Sequence, residues 1–143
     1  MSVQPILDAL RLGLEGSGVL QAFCRSRWNK PLAVRQTYRQ RREIKLTDLP
    51  LILITRPAVT PDPTYGFREP EHTVRLYAGF YQPDADRGAL ELIAFEEAVA
   101  ETVMGLDLGE PCLGVTIDQS RNDEGALAPS FFTIIDLSIK TSG

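Results

Sequence analysis

Apolar side chains recur at helical spacing in three stretches of the chain. The first helix is predicted to bury Ile6, Leu7, Leu10 and Leu14, with Ser2 as its cap. The second covers residues 19–28 and is predicted to turn Val19, Leu20, Phe23 and Trp28 inward. The third and longest follows Asp84 or Asp86, and its apolar stripe consists of Leu92, Phe95, Val99, Val103 and Leu106.

Four other stretches have the patterns of strands. Residues 50–56 hold a continuous apolar run, which favours burial on both faces, and Pro57 is expected to end it. Residues 72–81 alternate strictly, with Val74, Leu76, Ala78 and Phe80 facing one way. Residues 113–118 alternate in the same manner, with Leu113, Val115 and Ile117 on one face, and so do residues 131–140. The basic stretch over residues 32–45 is interpreted as an irregular connection or an edge strand.

The predicted order is helix–helix–strand–strand–helix–strand–strand. This order suits the α+β class, with an antiparallel sheet of four strands, or five, and helices packed on one face. A chain of 143 residues without an internal repeat is expected to form one domain over residues 1–143.

Two connections contain residues that disfavour regular structure. Residues 57–70 hold four prolines and are predicted to have no regular structure. Residues 119–129 are polar and include the run from Asn122 to Gly125. Both are predicted to be mobile loops, and loops of this length commonly contact partners.

Charge is divided unevenly along the chain. Residues 1–56 hold ten Lys and Arg against four Asp and Glu, whereas residues 57–143 hold five against fifteen. One part therefore carries about +6 and the other about −10, and such asymmetry indicates a surface that meets a charged partner. No apolar run approaches the roughly 20 residues of a membrane-spanning helix, so no membrane association is expected. The first residues also lack the basic and apolar regions of a secretion signal.

The basic residues cluster between positions 35 and 45, and the cluster has three interpretations. Its cations are Arg35, Arg39, Arg41, Arg42 and Lys45. They could bind phosphate, form a protein interface through carboxylates, or belong to a solvated loop. The acids elsewhere in the same chain favour the protein interface.

Catalytic and metal-binding patterns are nearly absent. His72 is the only histidine, and it is interpreted as a solvated or capping residue. A small enzyme would need a pocket built from Glu69, His72, Asp118 or Asp136, which nothing in the sequence brings together. Cys24 and Cys112 are far apart and are interpreted as buried thiols rather than a bridge or a zinc site. The glycines at positions 13–18 follow a helix instead of a strand, so no nucleotide or other cofactor is expected.

Four stretches together resemble the bacteriophage tail terminator and minor tail protein families. They are the opening helix that ends in Leu14, residues 49–54, residues 71–77, and the helix from Arg87 to Met104 with two strands after it. Residues 22–45 have no counterpart in this likeness. Members of these families are small α+β proteins that form rings at the head-proximal end of a long tail. The resemblance implies an assembly component without catalytic residues.

The resemblance also implies partners and a location. We expect a homo-oligomeric ring, a hexamer being one candidate, that ends the tail tube and contacts the tube protein and the head connector. It would assemble in the host cytoplasm and then reside in the virion tail. The predicted ring interface sets Arg35, Arg39, Arg41, Arg42 and Lys45 against Glu97 and Glu101. The predicted partner-binding loops present Tyr65, Phe67, Arg68, Arg121, Asn122 and Asp123. The less favoured alternative is a nucleic-acid-binding module that uses residues 35–45.

Overall fold

A computed structural model describes residues 3–142, the side chain of Arg41 excepted, as three α-helices and one five-stranded sheet. The helices are α1 (Gln4–Glu15), α2 (Gly18–Trp28) and α3 (Ala85–Met104). The strands are β1 (Ala33–Arg35), β2 (Leu51–Asp62), β3 (Gly66–Tyr81), β4 (Cys112–Asn122) and β5 (Ser130–Thr141). Short 3₁₀ turns at Arg41–Glu43 and Leu46–Asp48 connect β1 to β2.

The strand order across the sheet is β1-β2-β3-β5-β4. Three neighbouring pairs are antiparallel, as predicted, but β1 runs parallel to β2. The α+β class is therefore confirmed, and the purely antiparallel sheet is corrected to a mixed one. The parallel pair arises because the basic stretch forms a short edge strand and then crosses over before β2 begins.

The helices cover one face of the sheet and bury the main core. On that face the predicted positions Val74, Leu76, Ala78 and Phe80 of β3 are all fully buried. The stripe of α3 packs on them from Leu92 to Val103, and the apolar face of α1 completes the layer. Leu20 of α2 is buried, but Val19 is 73% exposed, so its predicted inward position is wrong. Val19 lies in the first turn of α2 and points to solvent.

The opposite face, called the back face below, carries a smaller apolar cluster. Leu49, Leu51, Leu53 and Phe132 form it, and Ile44 packs against it. Part of the connection over residues 36–50 therefore packs on the back face, through Ile44 and Leu49, whereas Gln36 at its start bonds to Asp8 of α1. These contacts anchor a basic stretch that has little regular structure.

Helix ends follow the expected capping chemistry where the structure describes them. Asp84 Oδ1 accepts hydrogen bonds from the backbone N–H groups of Asp86 and Arg87, which confirms Asp84 as the cap of α3. Ser17 Oγ accepts from the N–H of Leu20 and caps α2. Val3 precedes α1, and the predicted cap Ser2 lies outside the described residues.

The irregular loop predicted for residues 57–70 is wrong. β2 continues through Pro57 to Asp62 and pairs with β3, so residues 56–70 form a β-hairpin that we call the hairpin arm. Register shifts occur between Thr55 and Ala58 and between Thr60 and Asp62, the two intervals that contain Pro57 and Pro61. A bulge tolerates proline because the missing N–H is not needed by the ladder there.

The second predicted loop is shorter than expected. β4 extends to Asn122, so the connection to β5 comprises residues 123–129. Asp123 organises it by accepting hydrogen bonds from the N–H groups of Gly125 and Ala126. The mobility of this loop and of the hairpin arm stays a prediction. None of the helices in residues 3–142 has the length and apolar character needed to cross a membrane.

Candidate functional site

The residues with acid–base chemistry are distributed over both faces of the sheet. His72 shares the helix side of β3 with Val74, whereas Asp118 and Asp136 lie on the back face. Asp136 forms an ion pair with Arg75, at 2.6 Å between Oδ1 and Nε, and this pairing raises the pKa of Arg75. Asp118 accepts hydrogen bonds from the hydroxyls of Ser138 and Thr116. The structure therefore does not bring the four candidate enzyme residues into one pocket.

His72 is buried, so its interpretation as a solvated or capping residue is wrong. Its side chain is 6% exposed, and Nε2 lies 3.1 Å from the hydroxyl of Thr141. Nδ1 has no hydrogen-bond partner among the described residues. Burial, with a contribution from the charge of Arg56, lowers the pKa of His72. His72 is at an alternate position of β3 together with Val74 and Leu76, so the alternating pattern of this strand already placed its side chain on the buried face.

The two cysteines are free thiols. Cys24 is fully buried, and burial raises the pKa of its thiol to about 12, so it packs as a small apolar residue. Cys112 is only half-buried, at the start of β4. Within residues 3–142 no group of three or more His, Cys, Asp or Glu side chains is placed to hold a metal ion.

The predicted basic interface lies on the back face, around residues 35–45. Tyr38 packs edge-on against Tyr77 of β3, with 5.7 Å between ring centroids, and Ile44 is anchored in the back-face cluster. These contacts turn the cations outward. Arg35, Arg42 and Lys45 are exposed, Arg39 lies 3.6 Å from Asp48, and the side chain of Arg41 is outside the described part.

The predicted acidic interface lies on the other side of the molecule. Glu97 and Glu101 are exposed on α3, which packs on the helix side of the sheet. Since the sheet separates them from the basic segment, the two charged surfaces belong to different faces of one chain. A pairing of the two surfaces would therefore require two copies.

The predicted partner-binding residues fall into two separate groups. Tyr65, Phe67 and Arg68 are exposed at the tip of the hairpin arm, where Phe67 is 68% exposed. Arg121, Asn122 and Asp123 lie at the opposite end of the sheet, because Asn122 pairs across β5 with the end of β3 near Ala78. One partner could not contact both groups through a small interface.

Several exposed apolar residues were missed by the sequence patterns. Leu90 and Ile93 project from the outer side of α3. The alternation placed Leu113 on the same face as Val115 and Ile117, but a register shift occurs between Cys112 and Gly114, and Leu113 is 52% exposed. An irregularity of this kind leaves no trace in an alternating sequence.

Comparison with known proteins gives one finding about the fold. No protein-family model matches the chain, and no curated protein shows significant sequence similarity to it. Among solved structures, the chain is similar to a chain from the "Virion of native gene transfer agent (GTA) particle", with 14% identity and a TM-score of 0.56. The likeness covers 95% of this chain and 93% of that chain, so the two share a fold over nearly their whole lengths.

Proposed function

We propose that this chain is a structural component of a phage-like virion. Within that class we propose a ring-forming protein that terminates the tail tube and meets the head connector. The observation that carries the proposal is the shared fold with a chain of a virion particle over 95% of the length. The finer proposal, a tail terminator, rests in addition on the resemblance of the order of helices and strands to that family.

The distribution of charge supports the ring. A cyclic assembly uses heterologous contacts, in which one surface meets a different surface of the next copy. Arg35 pairs in register with Leu53 of the back-face cluster, and Arg42 and Lys45 flank Ile44, which packs on that cluster. Glu97 and Glu101 are exposed on α3, which covers the helix side. Opposite charges on opposite sides of one chain cannot pair with each other inside that chain, and they are suited to a contact between two copies.

The proposed role is non-catalytic. Three of the four candidate acid–base residues have a structural contact: Asp136 with Arg75, Asp118 with Ser138, and His72 with Thr141. We propose assembly in the host cytoplasm, followed by incorporation into the virion tail beside the tube protein and the connector.

Electron microscopy of particles made without this protein tests the proposal. If the protein ends tail growth, particles from a host that lacks it should carry tails longer than normal and detached from heads. Expression of the wild-type chain in the same host should restore tail length. Tails of normal length joined to heads in its absence would refute the terminator role.

A further inference from the structure

A groove lies where α3 ends and β4 begins. Its volume is about 510 Å³, and Met104 and Leu113 expose apolar surface along it. Asp107 and Glu110 also line it and are exposed, and no Lys or Arg is among its lining residues. An occupant that matches this chemistry presents an apolar side chain together with positive charge.

The hairpin arm offers that chemistry at the other edge of the sheet. β1 pairs only with Leu51–Leu53 of β2, so the outer edge of β2 is open from there to the tip. Val59 pairs with His72 and therefore points to the helix side, where Arg56 also acts on His72. Arg56, Val59 and Arg68 are all exposed, and within residues 3–142 neither arginine has an ion-pair partner.

The acids near the arm lie on its other face. Asp62 Oδ2 is 2.8 Å from Lys140 Nζ, and Glu71 pairs in register with Lys140. This hydrogen bond to Asp62 raises the pKa of Lys140, and the charges of Glu69 and Glu71 add to the effect. Among residues 3–142, the ion pair of the arm is therefore the one between Asp62 and Lys140, and neither Arg56 nor Arg68 takes part in it.

The register of the sheet places the arm and the groove at the same level. Thr60 pairs with Glu71, Glu71 with Lys140, and Lys140 with Gly114, which lines the groove. The arm lies at the open edge of β2 and the groove lies at β4, so the two are at opposite edges of the sheet. β2 and β4 run in opposite directions, because three antiparallel steps separate them. A second copy placed beside the first, with its β4 edge next to the open edge of β2, would thus bring its groove to the arm of the first.

We propose that the hairpin arm of one copy docks in the groove at the start of β4 on the next copy. In this contact Arg56 and Arg68 face Asp107 and Glu110, and Val59 covers the apolar surface of Leu113. The contact is heterologous, so its repetition generates a ring or an open filament. The inference rests on the ring of the proposed function and names one surface pair that would build it.

Charge reversal and its rescue test the contact. Sedimentation velocity at low salt would compare wild type with R56E/R68E, with D107K/E110K, and with the four changes combined. Each double variant should raise the dissociation constant for self-association by about tenfold or more, because like charges then face each other. The combined variant should return it to near the wild-type value. The matched control is R25E/R87E, which reverses two exposed arginines outside both surfaces and should leave it unchanged.

The outcomes separate this inference from the proposed function. A wild-type chain that stays monomeric, or double variants that associate like wild type, would overturn the arm-in-groove contact. If a tube or connector protein fills the groove instead, the double variants should also associate like wild type. Long tails in particles without the protein would then still support the terminator role. Conversely, the combined variant could restore self-association while particles made without the protein carry tails of normal length. That outcome would support the contact and refute the terminator role.

Discussion

At the scale of single residues, Trp28 and His72 show two outcomes for buried polar atoms. Nε1 of Trp28 has a hydrogen-bond partner, and Nδ1 of His72 has none among the described residues. Trp28 stacks on Phe80 with 4.3 Å between ring centroids, and its Nε1 donates to Glu91 at 3.2 Å. Gln82 donates a second hydrogen bond to the same carboxylate, at 2.7 Å. Glu91 is buried and satisfied, whereas Nδ1 of His72 has no partner among the described residues. Protonation of His72 would place a charge in that unpaired setting, close to Arg56.

His72 should therefore make stability fall as the pH falls. In the unfolded chain its pKa has the ordinary value of 6.5, and in the folded chain it is lower. Between those two values the unfolded chain binds more protons, so the free energy of unfolding decreases with decreasing pH, by at most about 1.4 kcal/mol per pH unit. Above pH 6.5 this stabilisation is fully present.

Denaturant unfolding between pH 7.5 and 5 would measure the effect, with the fluorescence of Trp28, the only tryptophan, as the signal. H72Q serves as the control because it cannot titrate, and its stability should change less over the same range. Asp62 contributes little there, since its hydrogen bond to Lys140 lowers its pKa to about 2. Equal pH dependence in both chains would contradict the prediction.

At the scale of elements, α3 approaches β5 closely through a glycine. Gly88 is buried in the first turns of α3, and the ring of Phe131 occupies the space where a Cβ would stand. Glycine weakens a helix, so its presence here reflects packing rather than helix propensity. The contact sets how near the helix lies to the strand.

G88A should destabilise the fold by about 1–3 kcal/mol, because the added methyl overlaps Phe131 and must displace it. Chemical denaturation followed by tryptophan fluorescence would measure the loss. G18A is the matched control: Gly18 begins α2, and nothing lies within 4 Å of its Cβ position. That variant should be neutral or slightly more stable. Similar losses in both variants would argue against the packing explanation.

The β2–β3 hairpin is an element for which a prediction from local sequence was wrong. The density of prolines in residues 57–70 predicted an irregular loop, since proline disfavours regular ladders. In the structure Pro57 and Pro61 occupy the intervals of register shift, and the strands continue past them. Proline therefore determined where the bulges are, and the long pairing of β2 with β3 determined that the strands persist.

At the scale of the whole molecule, the sheet separates the basic segment from the acids of α3. Arg35 and Arg42 are exposed on the back-face side, and Glu97 and Glu101 on the helix side. The partner of the basic surface is open to a direct test. A protein partner would offer carboxylates, and a nucleic acid would offer phosphates.

R35E/R42E should weaken self-association at low salt, with little effect at high salt where the charges are screened. Sedimentation measures this, and fluorescence anisotropy with labelled duplex DNA at two salt concentrations measures the alternative. Salt-sensitive DNA binding by wild type, lost in R35E/R42E while self-association is unchanged, would contradict the assembly interface and favour the nucleic-acid-binding module.

The sequence by itself determined the elements and their inward faces wherever the pattern is regular. Leu92, Phe95, Val99 and Val103 of α3, and the alternating residues of β3, were assigned to the core and are buried. These assignments succeed because side-chain direction follows from helical or strand geometry alone. The imbalance of charge between residues 1–56 and 57–143 was equally visible.

Only the tertiary structure decided which strands are neighbours and therefore where the surfaces lie. The parallel pairing of β1 with β2, the bulge that exposes Leu113, and the hairpin arm level with the groove depend on register between distant segments. Register is fixed by simultaneous packing of the whole core, which no local pattern encodes. For that reason the sequence identified charged residues suited to an assembly, and the fold alone placed them on opposite sides of one chain.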